Sequence, residues 1–166
     1  MNISKNLKSK IFTKEIIISL IIIIGTFVLD RLSKIKVIKK QMDSEGSYFV
    51  NEYLNFDLVW NTGIGFGLFS QNANIYYQAT SFLIFLVIVF LSYLIVKSNL
   101  LDKILFSIIL GGAFGNFYDR LFYLAVPDFI DIHINNFHWF TFNIADIFIT
   151  VGVILLITKD LFVKKK

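Results

Sequence analysis

The chain has 166 residues, 56% of them hydrophobic and 17% charged, with a mean hydropathy of +0.70; this excludes an ordinary soluble domain and leaves room for one membrane domain, residues 1–166, with a handful of spans. The formal charge of +4 comes from 16 Lys and Arg against 12 Asp and Glu, but the cations sit at the chain ends and beside apolar runs, so nucleic acid is not an expected partner. With no cysteine in the sequence, disulfides, thiol nucleophiles and thiolate metal sites are excluded together.

Four apolar segments, roughly 16–32, 75–96, 104–124 and 143–162, predict an all-α membrane fold of four transmembrane helices. The head (Lys5, Lys8, Lys10, Lys14), the second connection (Lys97, Lys103) and the tail (Lys159, Lys164, Lys165, Lys166) hold ten of the 16 cations. The positive-inside rule therefore places both termini in the cytoplasm, and long loops such as the first outer one translocate regardless of charge. The basic, Ile-rich start could also be a signal peptide, but no small-residue cleavage site follows it, so it reads as a retained helix.

The uncharged part of the first segment, Ile16 to Leu29, is shorter than a span, which brings Asp30 to the outer boundary. The helix is expected to end there. An acid at a helix C-terminus is disfavoured by the dipole, so Asp30 should pair with Lys34 one turn on. The first outer loop, roughly Ile35 to Asn74, contains YFVNEYLNFDLVWNTG, whose aromatic and β-branched residues predict short strands at the membrane surface. Its NTGIGFG stretch lacks the lysine of a phosphate loop. It reads as a tight turn at Gly63 over the site, with Asn61 contributing hydrogen bonds.

The second span carries no charge. In the third, Gly111, Gly112, Ala113 and Gly115 suit close helix packing, and Asn116 and Arg120, four apart, share a face at the depth of the acids. The second outer loop, roughly Ala125 to Phe142, holds Asp128 beside Pro127, which gives its carboxylate no obvious support. His133 and His138 lack the helical spacing of a zinc hydrolase, and no metal site is expected. Asn143 to Asp146 resembles a capping box, with the acid at the positive helix end. Asp128 and Asp146 are the acids that most need a reason, since an ionisable group at membrane depth is by default functional. Two carboxylates in different surroundings can serve as acid and base.

Taken in order, DRLSK (Asp30 to Lys34), NTGIGFG (Asn61 to Gly67), GGAFGNFYDR (Gly111 to Arg120), VPDFID (Val126 to Asp131) and FNIAD (Phe142 to Asp146) resemble lipoprotein signal peptidase, the type II signal peptidase of bacteria. Five motifs in family order, over nearly the whole chain, form a specific signal. The resemblance implies four spans with a small β-containing extracytoplasmic region. It also implies a monomeric, cofactor-free aspartic protease of the bacterial inner membrane, acting at the outer face. Its substrates would be diacylglyceryl-modified prolipoproteins, cut before the lipidated cysteine, with membrane lipid as the other partner. Asp128 and Asp146 match the catalytic dyad, Asn61, Asn116, Arg120 and Asn143 the supporting polar residues, and Asp30 and Lys34 the first-span motif. Gly65 stands where the family usually has alanine and Pro127 where an aliphatic or threonine is common; neither change removes a functional group.

The rival readings come from other classes. A small non-catalytic lipid-binding membrane protein or a proton-coupled transporter could use the same acids as a relay, although the second span lacks polar groups and no repeat is evident. Other intramembrane aspartyl proteases carry a G-x-G-D signature that GIGFG does not supply. Ser33 and Lys34 are adjacent and would point apart on a helix, against a serine–lysine pair.

Overall fold

A computed structural model of the chain describes residues 14–43, 48–62 and 73–162. Among these residues it has four helices, α1 (Lys14–Asp43), α2 (Ala73–Lys97), α3 (Leu100–Phe122) and α4 (Ile144–Phe162), and four strands. The strands are β1 (Tyr48–Asn51) and β2 (Leu54–Asn61) between α1 and α2, and β3 (Val126–Ile134) and β4 (Phe137–Phe142) between α3 and α4. They form one antiparallel sheet in the order β1-β2-β3-β4. Gly63, Gly65 and Gly67 of the glycine-rich turn lie outside the described residues.

Three helical stretches, Lys14–Gln41, Tyr77–Lys97 and Leu100–Phe122, are long and apolar enough to cross a membrane. Their outward side chains, among them Ile21, Phe82, Leu83 and Phe90, are large and apolar, as a lipid-facing surface requires. α4 has 19 residues, with Asp146, Lys159 and Asp160 confined to its ends.

α3 is the central helix, packed against α1, α2 and α4. Ile88, Leu91 and Ile95 of α2 close on Ile109, Leu110 and Ala113 of α3. On its other faces α3 presents glycine because neighbouring backbone and charge come too near for a side chain. A Cβ on Gly112 would stand 2.6 Å from the Ala145 carbonyl oxygen of α4, and one on Gly115 would stand 2.5 Å from Asp30 Oδ2 of α1. The small-residue run is thus where three helices converge.

Ion pairs define one end of the bundle. Glu15 at the start of α1 accepts from Lys103 Nζ near the start of α3 at 2.5 Å, and Asp102 pairs with Lys159 near the end of α4. The start of α1, the α2–α3 turn capped by Asn99 and the end of α4 therefore lie together. Asp30, Asp119 and the sheet are at the opposite end.

α1 departs from the expected span at 16–32. It continues to Asp43 for 30 residues in all, roughly 45 Å at 1.5 Å per residue, so its last turns outrun an apolar slab of about 30 Å. The first charges end an apolar run without ending a helix. Arg31 and Lys34 find carboxylates on α3, and further on Gln41 Oε1 accepts the Leu58 N–H of β2 at 3.1 Å while Lys40 Nζ lies 3.3 Å from the Tyr48 ring centroid. Asp30 is consequently mid-helix, and the dipole argument for its need of a partner falls. The segment expected as the second outer loop is a hairpin whose two-residue turn, Asn135 and Asn136, joins the paired Ile134 and Phe137. Asn135 has φ 53°, a conformation that asparagine tolerates better than most side chains.

Candidate active site

The site forms where β2, β3 and the start of α4 meet the upper part of α3. In the β2–β3 ladder Asn61 faces Val126, Trp60 faces Pro127 and Val59 faces Asp128. Pro127 fits a strand here because β4 has already ended, its Phe142 pairing with Ile130, so no second ladder asks for its missing N–H. Diagonal neighbours on an antiparallel pair are within reach of long polar side chains, and Asn61 Nδ2 donates to Asp128 Oδ2 at 3.0 Å. Asp128 is buried, 5% exposed, and its other oxygen accepts from Asn143 Nδ2 at 2.6 Å. The expectation that Asp128 lacks support is corrected: two amides hold it. They come from segments distant in sequence, beyond the view of local spacing.

The first turn of α4 supplies the second acid. Asn143 Oδ1 accepts the Asp146 N–H, and Asp146 Oδ2 accepts the Asn143 N–H, each at 3.1 Å. This is a reciprocal capping box with Asn and Asp in its two roles. Asp146 Oδ1 accepts from Asn116 Nδ2 of α3 at 2.7 Å. Asn143, fully buried, therefore touches both carboxylates, one through its side chain and the other through its backbone.

Next to this pair lies a second buried group. Lys34 Nζ, fully buried, donates to Asp30 Oδ2 at 2.9 Å, to Asp119 Oδ2 at 2.6 Å and to Asn116 Oδ1 at 3.0 Å. Arg31 Nη2 lies 2.6 Å from Asp119 Oδ1, and Asp30 Oδ1 accepts the Ala145 N–H of α4 at 3.0 Å. Because an ammonium can only donate, Asn116 must turn its oxygen to Lys34 and its amino group to Asp146. Its oxygen also accepts from Asn143 Nδ2 at 3.1 Å. Asn116 is thus the link between the two groups.

Of the residues expected at a site, Asn61, Asn116, Asn143, Asp128 and Asp146 come together, and Asp30 and Lys34 stand beside them. Gly63 lies outside the described residues. Arg120, expected on the face of the aspartates, stacks its guanidinium 5.2 Å from the Tyr77 ring of α2, and its carbonyl accepts from Tyr77 Oη at 2.6 Å. Asp119 and Arg31 join the charged group although their motifs gave them no role. The available signal was spacing, since Asp119 is three residues from Asn116 and shares its face. One turn below Asp30, α1 and α3 leave an open apolar cleft of about 380 Å³ whose walls include Ile24, Phe27, Phe117 and Tyr118.

Comparison with known proteins agrees with this arrangement. The family model described as signal peptidase (SPase) II matches residues 22–162. A lipoprotein signal peptidase of Pelagibacter ubique (strain HTCC1062) is 43% identical over 159 residues, covering 95% of this chain and 96% of its own. One from Anaplasma phagocytophilum (strain HZ) is 40% identical over 151 residues, covering 89% and 94%. Among solved structures, a bacterial membrane enzyme determined by the in meso method superposes with a TM-score of 0.75 at 30% identity, covering 91% of this chain and 93% of that one. The site geometry, the sheet at one end of an apolar bundle and these likenesses converge: the chain belongs to the signal peptidase II family.

Proposed function

We propose that this protein is a membrane aspartic endopeptidase that removes signal peptides from diacylglyceryl-modified prolipoproteins, cleaving before the lipidated cysteine. The observation that carries this reading is a pair of carboxylates, Asp128 and Asp146, bound to one asparagine and surrounded by neutral amides. Burial, opposed by the Asn61 hydrogen bond and reinforced by the neighbouring Asp146, pushes the Asp128 carboxyl up to about 6. Like charges so close do not both ionise readily, and the two acids titrate as one coupled dyad.

The chemistry then follows from one shared proton. The ionised carboxylate takes a proton from water as the water oxygen attacks the scissile carbonyl. The protonated carboxyl hydrogen-bonds the carbonyl oxygen as it gains charge. Collapse of the tetrahedral intermediate breaks the C–N bond, and a proton passes to the leaving amine, giving a new carboxylate and a new amino terminus. One proton is shared by the pair, and either member can hold it. Asn61, Asn116 and Asn143 hold both groups in place.

In the same reading α4 is a fourth span, the chain is one monomeric domain with both ends cytoplasmic, and the site opens at the outer face of the bacterial inner membrane. The ion-paired bundle end, the lysine placement and the exposed aromatics Trp139, Phe137 and Phe140 on β4 support that orientation, since aromatic side chains favour the interface. The apolar cleft between α1 and α3 could hold an acyl chain of the substrate while water reaches the dyad from outside.

The test is cleavage of a diacylglyceryl-modified prolipoprotein by the purified full-length protein in micelles. Asp128→Asn and Asp146→Asn should each lower the rate by about 10³-fold or more, with helical content and melting temperature retained. Robust processing by either variant would sink the dyad.

A further inference from the structure

We propose that Asp131, His133 and His138 form a binding site for one divalent transition-metal ion of the zinc class on the β3–β4 hairpin. His133 and His138 are a cross-strand pair, with rings stacked 5.1 Å apart at 23°. Asp131 is two residues before His133, the spacing that returns a side chain to the same strand face. Both imidazoles turn towards one oxygen: Asp131 Oδ2 is 2.8 Å from His138 Nδ1 and 3.6 Å from His133 Nδ1.

The second observation is a buried polar atom without a hydrogen bond. His133 is 9% exposed, and its Nδ1 has no hydrogen-bond partner, the 3.6 Å approach to Asp131 being too long for one. Such a group costs stability unless something satisfies it. One donor atom from each residue lies within 4.8 Å of the others. Ligands of tetrahedral zinc, at about 2.0–2.1 Å from the ion, stand about 3.4 Å apart, so closing the set needs a shift of roughly an ångström. The His138 side chain, 57% exposed, is able to make it, and it leaves the remaining coordination position to water. Two imidazoles and a carboxylate suit zinc, cobalt or nickel better than magnesium or calcium.

The spacing that argued against a helical zinc motif is the one that pairs two histidines across a tight hairpin. The chain has two histidines and no cysteine, so every imidazole it owns is here. A metal at this point would staple β3, which carries Asp128, to β4, which leads into Asn143. Its role is structural and stands independently of the proposed peptidase chemistry.

The experiment uses untagged full-length protein in micelles, stripped with a chelator, dialysed and titrated with zinc chloride by calorimetry, with thermal melts in parallel. About one ion should bind per chain and raise the melting temperature. His138→Asn, at an exposed side chain, should melt like the unsubstituted protein in chelator yet bind zinc at least about tenfold more weakly, and Asp131→Asn should weaken binding likewise. No binding to the unsubstituted protein would overturn the site, leaving only an acid–imidazole hydrogen bond. Binding of equal strength in both variants would overturn it as well.

Discussion

Two buried acidic groups sit side by side in this protein and are neutralised in different ways. Asp30 and Asp119 face Lys34 and Arg31, two acids against two cations, within one ion-paired group. Asp128 and Asp146 receive hydrogen bonds from Asn61, Asn116 and Asn143. An amide orients a carboxylate and stabilises its charge in part, but it brings no counter-charge. The first group is complete without protons, and the second is not. The difference separates an ion-paired scaffold from a pair suited to exchanging a proton with water.

The comparison can be broken most sharply at Lys34. Lys34→Met removes the cation shared by two fully buried acids, and stability should fall by about 3–5 kcal/mol, measured as a drop in melting temperature or denaturant midpoint. Activity per folded molecule should fall far less than in the Asp128 and Asp146 variants. If it falls as far, the two groups are one catalytic unit.

Asn116→Leu cuts the link while keeping a similar volume. The cleavage rate should drop by about 10-fold to 100-fold, the kinetic equivalent of one to two lost hydrogen bonds at a charged group. Its melting temperature should shift less than that of Lys34→Met, and the reverse order would place Asn116 in the scaffold.

The smallest effect is a pH drift. Asp128 has a carboxyl raised from 3.8 to about 6, so the folded state holds its proton more tightly than the unfolded chain does. The stability from this proton is fully present below about pH 4 and is lost as pH rises through about 6. The melting temperature should therefore decline by a few degrees across that interval on account of this group. Asp128→Asn, which cannot titrate, should show a shallower decline, and an unchanged slope would mean that the dyad carries no extra proton.

Much of the fold was legible in the sequence because apolar length acts locally. The segments at 104–124 and 143–162 become helices Leu100–Phe122 and Ile144–Phe162, and the Asn143 to Asp146 spacing becomes the capping box. What escaped depends on tertiary partners. The extension of α1 to Asp43 needs the Leu58 N–H of β2 to receive Gln41. The His133–His138 pairing needs a two-residue turn that fixes register, whereas composition shows only an aromatic-rich loop. Arg120 shares a helical stripe with Asn116, but a stripe does not say which neighbour stands at each height, and Tyr77 of α2 is what stands there.

The capping box at α4 ties the readiness of the dyad to the fraying of a helix. The N–H groups of Asn143, Ala145 and Asp146 are taken by Asp146, Asp30 and Asn143, so the opening turn of α4 is held by side chains of the two acidic groups themselves. In the proposed peptidase, a substrate group that displaced the Asn143 N–H from Asp146 Oδ2 would uncap the helix at a cost of about 1 kcal/mol. The same cap that opens the helix therefore resists any swing of the acid away from its resting geometry.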